Sequence, residues 1–154
     1  MEIRFLTDCR EFIPAIACLQ QMEMYKIPSN RNLLKAIKKF EIRSKKRDGL
    51  PLTLVAFMDT LPVGSICLID RELDSHTHLS PWIAPLFVSS HYRNRGIGKS
   101  LMEEAERLAS SLGHKEIFLF TDAAREYYEK LNWETIETVY PTGKPTSFLM
   151  KKIV

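Results

Sequence analysis

Residues 82–100 have the sequence WIAPLFVSSHYRNRGIGKS, in which an apolar stretch leads through a polar turn into the start of a helix. The apolar stretch 82–89 predicts a strand, and Pro85 predicts an irregularity in it, because proline cannot donate a ladder hydrogen bond. Apolar residues then recur at spacings of three and four, which predicts a long helix that Gly113 ends. They are Ile97, Leu101, Met102, Ala105, Leu108, Ala109 and Leu112.

The turn between this strand and this helix carries Arg93, Gly96 and Gly98 in the pattern R-x-x-G-x-G. A helix N-terminus offers unpaired N–H groups and a partial positive charge, and glycines let a bulky anion approach the backbone. We therefore expect residues 93–99, called here the cradle, to bind phosphate. The side chains of Arg93, Arg95 and Lys99 add formal charge around it.

The glycine spacing of the cradle differs from that of two common phosphate loops. It is neither the GxxxxGK[ST] of a Walker loop nor the GxGxxG of a dinucleotide fingerprint. A glycine-containing turn into an ordinary helix is the alternative at this point, because short motifs also occur by chance.

Outward from this unit, the residue pattern predicts strands at 2–7, 52–58, 63–70, 116–120, 133–140 and 146–153. Asp8 is expected to cap a first helix, a second helix spans about 31–47, and Asp122 is expected to cap a helix that reaches Leu131. The strand–helix–strand unit at 82–120 requires a parallel pair, and the hairpin at 52–70 is antiparallel. The predicted fold class is therefore α/β, with a mixed sheet and helices on both faces.

The first two helices are each predicted to bury an apolar face. These faces consist of Ile13, Ile16, Ala17, Leu19, Met22 and Met24 in the first helix, and of Leu33, Leu34, Ile37, Phe40 and Ile42 in the second. The other face of the second helix is basic, with Lys35, Lys38, Lys39, Arg43, Lys45, Lys46 and Arg47. Most such faces are simply solvated, and contact with an acidic acceptor or a nucleic acid is the functional alternative.

Length and composition favour one globular domain over residues 1–154, with 45% hydrophobic and 27% charged residues and a net charge of +3. This charge is below what marks a nucleic-acid-binding domain. Cys9, Cys18 and Cys67 form no CxxC pair, which favours reduced thiols in a cytoplasmic protein. The N-terminus does not match a signal peptide, and no run of 18 apolar residues predicts a membrane span.

Two segments resemble the GNAT superfamily of acetyltransferases. LFVSSHYRNRGIGKSLM at 86–102 is similar to that family's fourth strand and R/Q-x-x-G-x-G/A loop, and AAREYYEKLNW at 123–133 is similar to its later helix. The resemblance implies a GNAT-type fold, with a central, mostly antiparallel mixed sheet of about six or seven strands and about four helices on both faces. It also implies transfer of an acetyl group from acetyl-CoA to a primary amine in a ternary complex. We expect a monomer or homodimer and no metal, and the sequence leaves the choice of oligomeric state open.

In that family, the loop binds the pyrophosphate of coenzyme A. The resemblance implies that Phe87 and Val88 line the pantetheine arm, that backbone N–H groups from Arg93 to Lys99 hold the pyrophosphate, and that Ser100 adds a hydroxyl. Thr121 stands where many members have an Asn that contacts the pantetheine arm. The implied cofactor-binding residues are Phe87, Val88, Arg93, Asn94, Arg95, Gly96, Ile97, Gly98, Lys99, Ser100 and Thr121.

Acetyl transfer needs a neutral amine, a polarised thioester carbonyl and a proton for the departing thiolate. The resemblance implies that Tyr128 is the general acid, and a packing or surface role is the alternative for it and for Tyr127. Asn132 replaces the family's usual Gly, and Asn tolerates the same left-handed conformation. Residues 82–88 contain no acid, so the candidate general bases lie in neighbouring segments: Asp70, Glu72, Asp74, His76 and His91.

Several features leave other interpretations open. His76 and His78 form an HxH pair without a third ligand in range, which disfavours a metal site. SPWIAPLFV at 80–88 also resembles members that acetylate protein N-termini, although a small-molecule amine fits equally well. A non-catalytic acyl-CoA-binding module would keep the cradle without Tyr128, and a nucleic-acid-binding domain would use the basic helix face.

Overall fold

The computed structural model of the chain describes residues 1–25 and 30–154. Seven strands lie in this part: β1 (Glu2–Phe5), β2 (Leu52–Met58), β3 (Leu61–Ile69), β4 (Trp82–Val88), β5 (Glu116–Thr121), β6 (Glu134–Val139) and β7 (Ser147–Ile153). Four α-helices accompany them: α1 (Ile13–Tyr25), α2 (Asn30–Ile42), α3 (Ile97–Ser111) and α4 (Arg125–Glu129). The predicted fold class is confirmed.

The strands lie side by side in the order β1-β2-β3-β4-β5-β7-β6. Neighbouring strands run antiparallel except β4 and β5, which are parallel and connected through α3. Among the described residues, Trp82 and Phe118 are the one pair in register between these two strands. β4 and β5 therefore diverge beyond this pair and leave a slot at their carboxyl ends.

A β-bulge bends β4 next to this slot. Between Ile66 and Leu68, β3 has one residue fewer than the opposing segment of β4, which contains Pro85. The irregularity predicted from the proline is thus confirmed.

The two faces of the sheet carry separate hydrophobic cores. α1 and α2 cover one face, where Ile16 and Phe40 are buried, and α3 covers the other, where Leu101 and Met102 are buried. Each such side chain contributes about 1.5–3 kcal/mol through burial, so these faces fix which way the helices lie. The helix predicted after the cradle is present, and Gly113 follows it in a left-handed conformation (φ 88°), as expected.

The second helix is shorter than predicted. α2 ends at Ile42, and residues 43–47 form a turn and bend. Tertiary contacts fix this end, because the buried hydroxyl of Ser44 accepts a hydrogen bond from Arg10 (3.0 Å). No helix in residues 1–25 and 30–154 is long and apolar enough to cross a membrane.

The apolar faces of the first two helices are narrower than predicted. Met22 and Met24 on α1 and Leu34 and Ile42 on α2 are exposed. A helix turns by about 100° per residue, so only residues three or four apart share the face that meets the sheet.

Neither predicted acidic cap is formed. The predicted strand 2–7 ends at Phe5, and Asp8 lies in a 3-10 turn where its carboxylate pairs with Arg47. α4 begins after Ala124, whose N–H donates to the hydroxyl of Thr121 (3.0 Å) instead of to Asp122. Asp8 thus pairs with a residue 39 positions later, and at α4 the residue just before Asp122 accepts the N–H.

Candidate active site

The cradle joins the end of β4 to the start of α3. Asn94 and Gly96 adopt left-handed backbone angles (φ 60° and 78°), which turn the chain sharply before Ile97. The first backbone hydrogen bond of α3 joins the N–H of Ser100 to the carbonyl of Gly96 (2.9 Å). By helix geometry, the N–H groups of residues 97–99 therefore point out of the helix end, where they can bind an anion.

The two glycines of the cradle serve different needs. A Cβ on Gly96 would meet no atom within 4 Å, so glycine is needed there for its left-handed backbone. A Cβ on Gly98 would lie 2.9 Å from the hydroxyl oxygen of Tyr127, so a larger residue there would require the tyrosine or the loop to shift. The second glycine thus lets a tyrosine from α4 lie directly against the cradle.

A carboxylate from α1 holds the entrance to the cradle. Glu23 accepts hydrogen bonds from the N–H (2.8 Å) and the hydroxyl (3.1 Å) of Ser90 and from the guanidinium of Arg93 (2.6 Å). The same guanidinium donates to the carbonyl of Val88 (3.0 Å). Burial raises the pKa of Glu23, but the hydrogen bonds from Ser90 and the charge of Arg93 outweigh this effect and lower it. Arg93 is therefore held from two sides, and its charge is balanced by Glu23.

The two other cations of the cradle have looser contacts. Arg95 lies over the ring of Tyr92 (5.2 Å to the centroid), and Nζ of Lys99 lies 3.7 Å from the carboxylate of Glu103. The Lys99–Glu103 pair is largely exposed, and exposed pairs contribute only about 0–1 kcal/mol. Lys99 can therefore turn towards a bound phosphate at little cost, whereas Arg93 cannot.

A cavity of about 1300 Å³ extends from the cradle into the slot between β4 and β5. Phe87 and Val88 line it on β4, and Phe120 and Thr121 line it on β5. Gly64 on β3 brings that strand close to this part of β4, because a Cβ there would lie 2.7 Å from the carbonyl oxygen of Phe87. The backbone of β4 that borders the slot is thus closely packed against β3, the strand on its other side.

Nine of the eleven residues predicted to bind coenzyme A line this cavity: Phe87, Val88, Arg93, Asn94, Gly96, Ile97, Gly98, Lys99 and Thr121. Of the described residues, Arg95 and Ser100 are the two predicted ones that do not line it. Thr121 uses its hydroxyl to accept the N–H of Ala124 (3.0 Å), so it also shapes the turn into α4.

Tyr127 and Tyr128 both line the cavity, from different positions. The ring of Tyr127 is 39% exposed and its hydroxyl lies beside Gly98. Tyr128 is partly buried and packs edge-on against Trp133 (6.2 Å between centroids) on the α3 side of the sheet. Burial raises the pKa of both hydroxyls, more strongly that of Tyr128, so both stay protonated at neutral pH. The turn after α4 contains Asn132 with the expected left-handed backbone (φ 62°).

Of the five candidate bases, Glu72 is the one described residue that lines the cavity. Its carboxylate lies 3.8 Å from Nζ of Lys144. Burial raises the pKa of Glu72, and the charges of Lys144, Arg43 and Lys39 offset only part of that effect. Asp70, two positions earlier, instead accepts a hydrogen bond from a serine hydroxyl (2.9 Å).

The remaining candidate bases lie outside the cavity lining. Nε2 of His76 lies 2.7 Å from the carboxylate of Glu137, and its ring stacks on that of His78 (5.9 Å between centroids). Asp74 and His91 lie in short 3-10 turns. Across the described residues, no group of three or more His, Cys, Asp or Glu side chains is arranged to hold a metal ion.

Three residues of the candidate site were not predicted from the sequence: Glu23, Lys144 and, as a contact of the cradle, Tyr127. Glu23 is the only charged residue in the sequence of α1, and this was a usable signal. Lys144 and the Tyr127–Gly98 contact depend on how distant segments meet, for which the local pattern contains no signal.

Comparison with known proteins identifies the family. A family model described as the Acetyltransferase (GNAT) family matches residues 17–133, whereas no curated protein matches the sequence significantly. The fold is similar to that of an aminoglycoside 6'-N-acetyltransferase complexed with coenzyme A, at 16% identity and a TM-score of 0.78 over 99% of this chain and 97% of that chain.

Two further solved structures have the same fold. An aminoglycoside 6'-N-acetyltransferase from Enterococcus faecium is 17% identical, with a TM-score of 0.75 over 99% of this chain and 97% of that chain. A ribosomal-protein-alanine N-acetyltransferase from Brucella melitensis is 21% identical, with a TM-score of 0.74 over the whole of both chains.

A glycine cradle at a helix N-terminus that opens onto a slot between two diverging parallel strands is suited to bind a phosphate-containing cofactor with an extended arm. The chain belongs to the acetyltransferase (GNAT) family, because the family model matches well over half of it. The resemblance seen in the sequence is thus confirmed, and so is the expectation of an N-acetyltransferase that uses acetyl-CoA as cosubstrate.

Proposed function

We propose that the protein transfers an acetyl group to a primary amine by direct attack within the cavity between β4 and β5, while acetyl-CoA and the amine are both bound. The observation that carries this proposal is the continuity of the site. The cradle at the start of α3 opens onto a cavity that is also lined by a protonated tyrosine, Tyr128, and a carboxylate, Glu72.

The cofactor would be held mainly by backbone groups. The N–H groups of residues 97–99 would bind the pyrophosphate, because they point out of the helix end. The slot beside Phe87 and Val88 would take the pantetheine arm, since the divergence from β5 leaves the backbone of β4 available for hydrogen bonds. Thr121 would form the opposite wall.

The residues of the cavity suit each step of the transfer. The amine nitrogen attacks the thioester carbon, and backbone N–H groups of β4 stabilise the oxyanion that forms. The C–N bond then replaces the C–S bond as the thiolate leaves and takes a proton from Tyr128. The proton that the amine loses goes to Glu72, directly or through a water molecule.

The names of two structural neighbours suggest two classes of acceptor. One neighbour is named for aminoglycosides, which are small-molecule amines, and one for the alanine of a ribosomal protein. Both classes present a primary amine, and we propose a primary amine as the acceptor. At 17% and 21% identity, these neighbours support the fold only. The choice between the two classes of acceptor must therefore be argued from the residues that line the cavity.

The alternatives fit the site less well. A non-catalytic acyl-CoA-binding module needs the cradle alone, whereas this cavity also holds Tyr128 and Glu72. A nucleic-acid-binding role would use the basic residues of 35–47 as one outer surface, whereas Lys35, Lys39 and Arg43 form part of the wall of the cavity. We further propose that residues 1–154 act as one domain, as a monomer or homodimer, in the cytoplasm, a reducing compartment that suits three free cysteines.

Thermal unfolding with and without acetyl-CoA tests the cradle. A ligand that binds only the folded state stabilises it by about 2.7 kcal/mol at a hundredfold excess over its Kd. Gly96→Glu should abolish the resulting rise in Tm, because it places a carboxylate where the pyrophosphate binds. Gly113→Glu is the matched control, since it puts the same side chain at a left-handed glycine at the other end of α3.

Release of free thiol from acetyl-CoA in the presence of an amine panel tests the transfer. Amine-dependent thiol release that Gly96→Glu abolishes and Gly113→Glu retains supports the proposed function. Acetyl-CoA binding without any amine-dependent thiol release would favour the non-catalytic module. Absence of binding in the parent protein would overturn both.

A further inference from the structure

The far end of the cavity is lined by cations. Lys35 and Lys39 lie one helical turn apart on the same face of α2, and Arg43 follows in the turn directly after the helix. All three line the cavity. Lys144, from the loop between β6 and β7, lines the cavity as well. We call these four residues the cationic rim.

Two contacts place the rim at the slot. The guanidinium of Arg43 donates a hydrogen bond to the carbonyl of Ala84 (3.1 Å), in the bulged part of β4. Nζ of Lys144 lies 5.0 Å from the ring centroid of Phe120 on β5. Ala84 and Phe120 both pack against the core under α1 and α2, on the face of the sheet opposite to α3. The rim therefore flanks the slot on the side where an acceptor can enter without crossing the cradle.

The rim has more positive charge than its surroundings neutralise. Glu72 is the carboxylate that faces it, in contact with Lys144 and under the influence of Arg43 and Lys39. Two more carboxylates line the cavity, but Glu23 is bound to Arg93 and Asp122 directly follows β5. The four cations of the rim therefore outnumber the two lining carboxylates that are not bound to Arg93, Glu72 and Asp122, which leaves a positive potential over the acceptor end of the site.

This potential selects among amines. A polycationic amine would bring like charges together in a partly buried cavity, which is unfavourable. An amine with an anionic group gains an ion pair with the rim, and the rim also favours the neutral form of the amine that attacks.

On this basis, and resting on the proposed function, we propose that the acceptor is a primary amine that carries a carboxylate or another anionic group, held by Lys39, Arg43 and Lys144 beside the slot. Its two sources, a small acidic amino compound and the N-terminus of an acidic peptide, share this chemistry. The site is therefore expected to prefer anionic over cationic amines, whereas a site for polycationic aminoglycosides would prefer cationic ones.

Three alanyl tripeptides with amidated C-termini, in which the last two residues are both Glu, both Gln or both Lys, test the charge preference. Free glutamate and glutamine amide form the small-molecule arm of the same test. We expect kcat/KM for the acidic member of each set to exceed that of the neutral member by at least about tenfold, which corresponds to one hydrogen bond between charged groups. A preference confined to one arm identifies the source of the amine.

The variant Lys39→Gln/Lys144→Gln should remove this preference, mainly by raising KM for the acidic acceptor, and should leave the Kd for acetyl-CoA unchanged. Lys38→Gln is the matched control, because Lys38 is exposed on the same helix and does not line the cavity in the part of the chain that the structure describes. Equal or better use of the neutral or basic members, or equal effects of the two variants, would overturn the proposal.

Direct binding separates this proposal from the proposed function. Calorimetric titration of the three tripeptides, with and without saturating coenzyme A, measures the charge preference even if no acceptor turns over. If acetyl-CoA does not bind, the proposed function fails, and the peptide titration still reports whether the rim selects anions. If acetyl-CoA binds but the peptides bind equally, the rim proposal alone fails.

Discussion

The carboxylate of Glu23 and the guanidinium of Arg93 lie 2.6 Å apart, although the two residues are separated by 70 positions in the sequence. Glu23 also accepts hydrogen bonds from the N–H and the hydroxyl of Ser90. Three hydrogen bonds therefore connect α1 to Arg93, the first residue of the cradle, and to Ser90 just before it. Arg93 is the first residue of the R-x-x-G-x-G pattern. Its side chain therefore shapes the loop, and the backbone N–H groups at the start of α3 are left to bind the phosphates.

Removal of the hydrogen bonds that Glu23 forms with Ser90 and Arg93 should weaken acetyl-CoA binding. Glu23→Ala is expected to raise the Kd by about tenfold, the effect of losing one hydrogen bond between charged groups, because the loop is no longer held in its binding conformation. Titration calorimetry measures the change. Glu104→Gln, which removes a pair with Arg107 elsewhere on α3, should leave the Kd unchanged. An unchanged or tighter Kd for Glu23→Ala would contradict a positioning role.

The contact between Gly98 and Tyr127 predicts that their substitutions are not additive. In Gly98→Ala, the new Cβ would lie 2.9 Å from the tyrosine hydroxyl, so one of the two must shift. In a Tyr127→Phe background that oxygen is gone, and the same alanine should be tolerated better. We expect a coupling free energy of at least about 0.5 kcal/mol in a double-mutant cycle followed by thermal unfolding. Gly96→Ala should show no coupling with Tyr127→Phe, because a Cβ at Gly96 meets no atom within 4 Å.

The sequence predicted those parts of the fold and site that depend on contiguous residues. The strand and the helix at 82–112 follow from local apolar spacing, and the structure confirms them. The glycine-containing turn lies between them, as expected. Gly113 and Asn132 adopt the left-handed conformations expected after helices. Such features are encoded within a few residues, so no tertiary contact is needed to predict them.

Features that depend on distant contacts could not be predicted in this way. α2 ends at Ile42, and the arginines Arg10 and Arg43 bind groups outside the helix, Ser44 and the carbonyl of Ala84. Asp8 does not cap α1 as expected, and its carboxylate instead pairs with Arg47, which is 39 residues later. The choice of Glu72 among five candidate bases likewise required the position of the cavity.

The two adjacent tyrosines should have separable roles. Tyr128→Phe is expected to lower kcat by at least about a hundredfold, the usual contribution of a general acid, while the Kd for acetyl-CoA stays the same. Tyr127→Phe should mainly alter acetyl-CoA binding, because its hydroxyl contacts the cradle. Steady-state kinetics with calorimetry distinguish the two. A larger loss of kcat in Tyr127→Phe than in Tyr128→Phe would reverse the assignment.

The three cysteines should differ in reactivity. Burial raises the pKa of the Cys9 thiol to about 11, and both Cys9 and Cys67 are buried, whereas Cys18 is partly exposed. Iodoacetamide at pH 8 should therefore modify Cys18 first, since thiolate is the reactive form. Peptide mass mapping identifies the modified residue, and Cys18→Ser should suppress the fast phase. Rapid modification of Cys9 in the folded protein would contradict the burial seen here.

The raised pKa of Glu72 makes a linked prediction for activity and stability. If its carboxylate accepts the proton of the amine, kcat/KM should rise with pH along a limb that lies above the ordinary carboxyl value of 4.5, and Glu72→Gln should remove that limb. The stability of the fold should change with pH in the opposite direction, falling as pH rises. A carboxyl group with a raised pKa in the folded state binds its proton more tightly there than in the unfolded chain, so its contribution to stability is lost as pH rises above 4.5.

Glu72→Gln is therefore expected to lower the rate and raise the Tm at neutral pH, where the wild-type carboxylate is ionised in a partly buried site. At pH 4, where both forms are largely uncharged, the two proteins should melt at similar temperatures. The rate limb is measured with an acceptor whose amine does not titrate in the same range, and Glu134→Gln on the exposed start of β6 is the control. A slower variant with a lower Tm at neutral pH would mean that the ion pair with Lys144 stabilises the fold more than burial of the charge destabilises it.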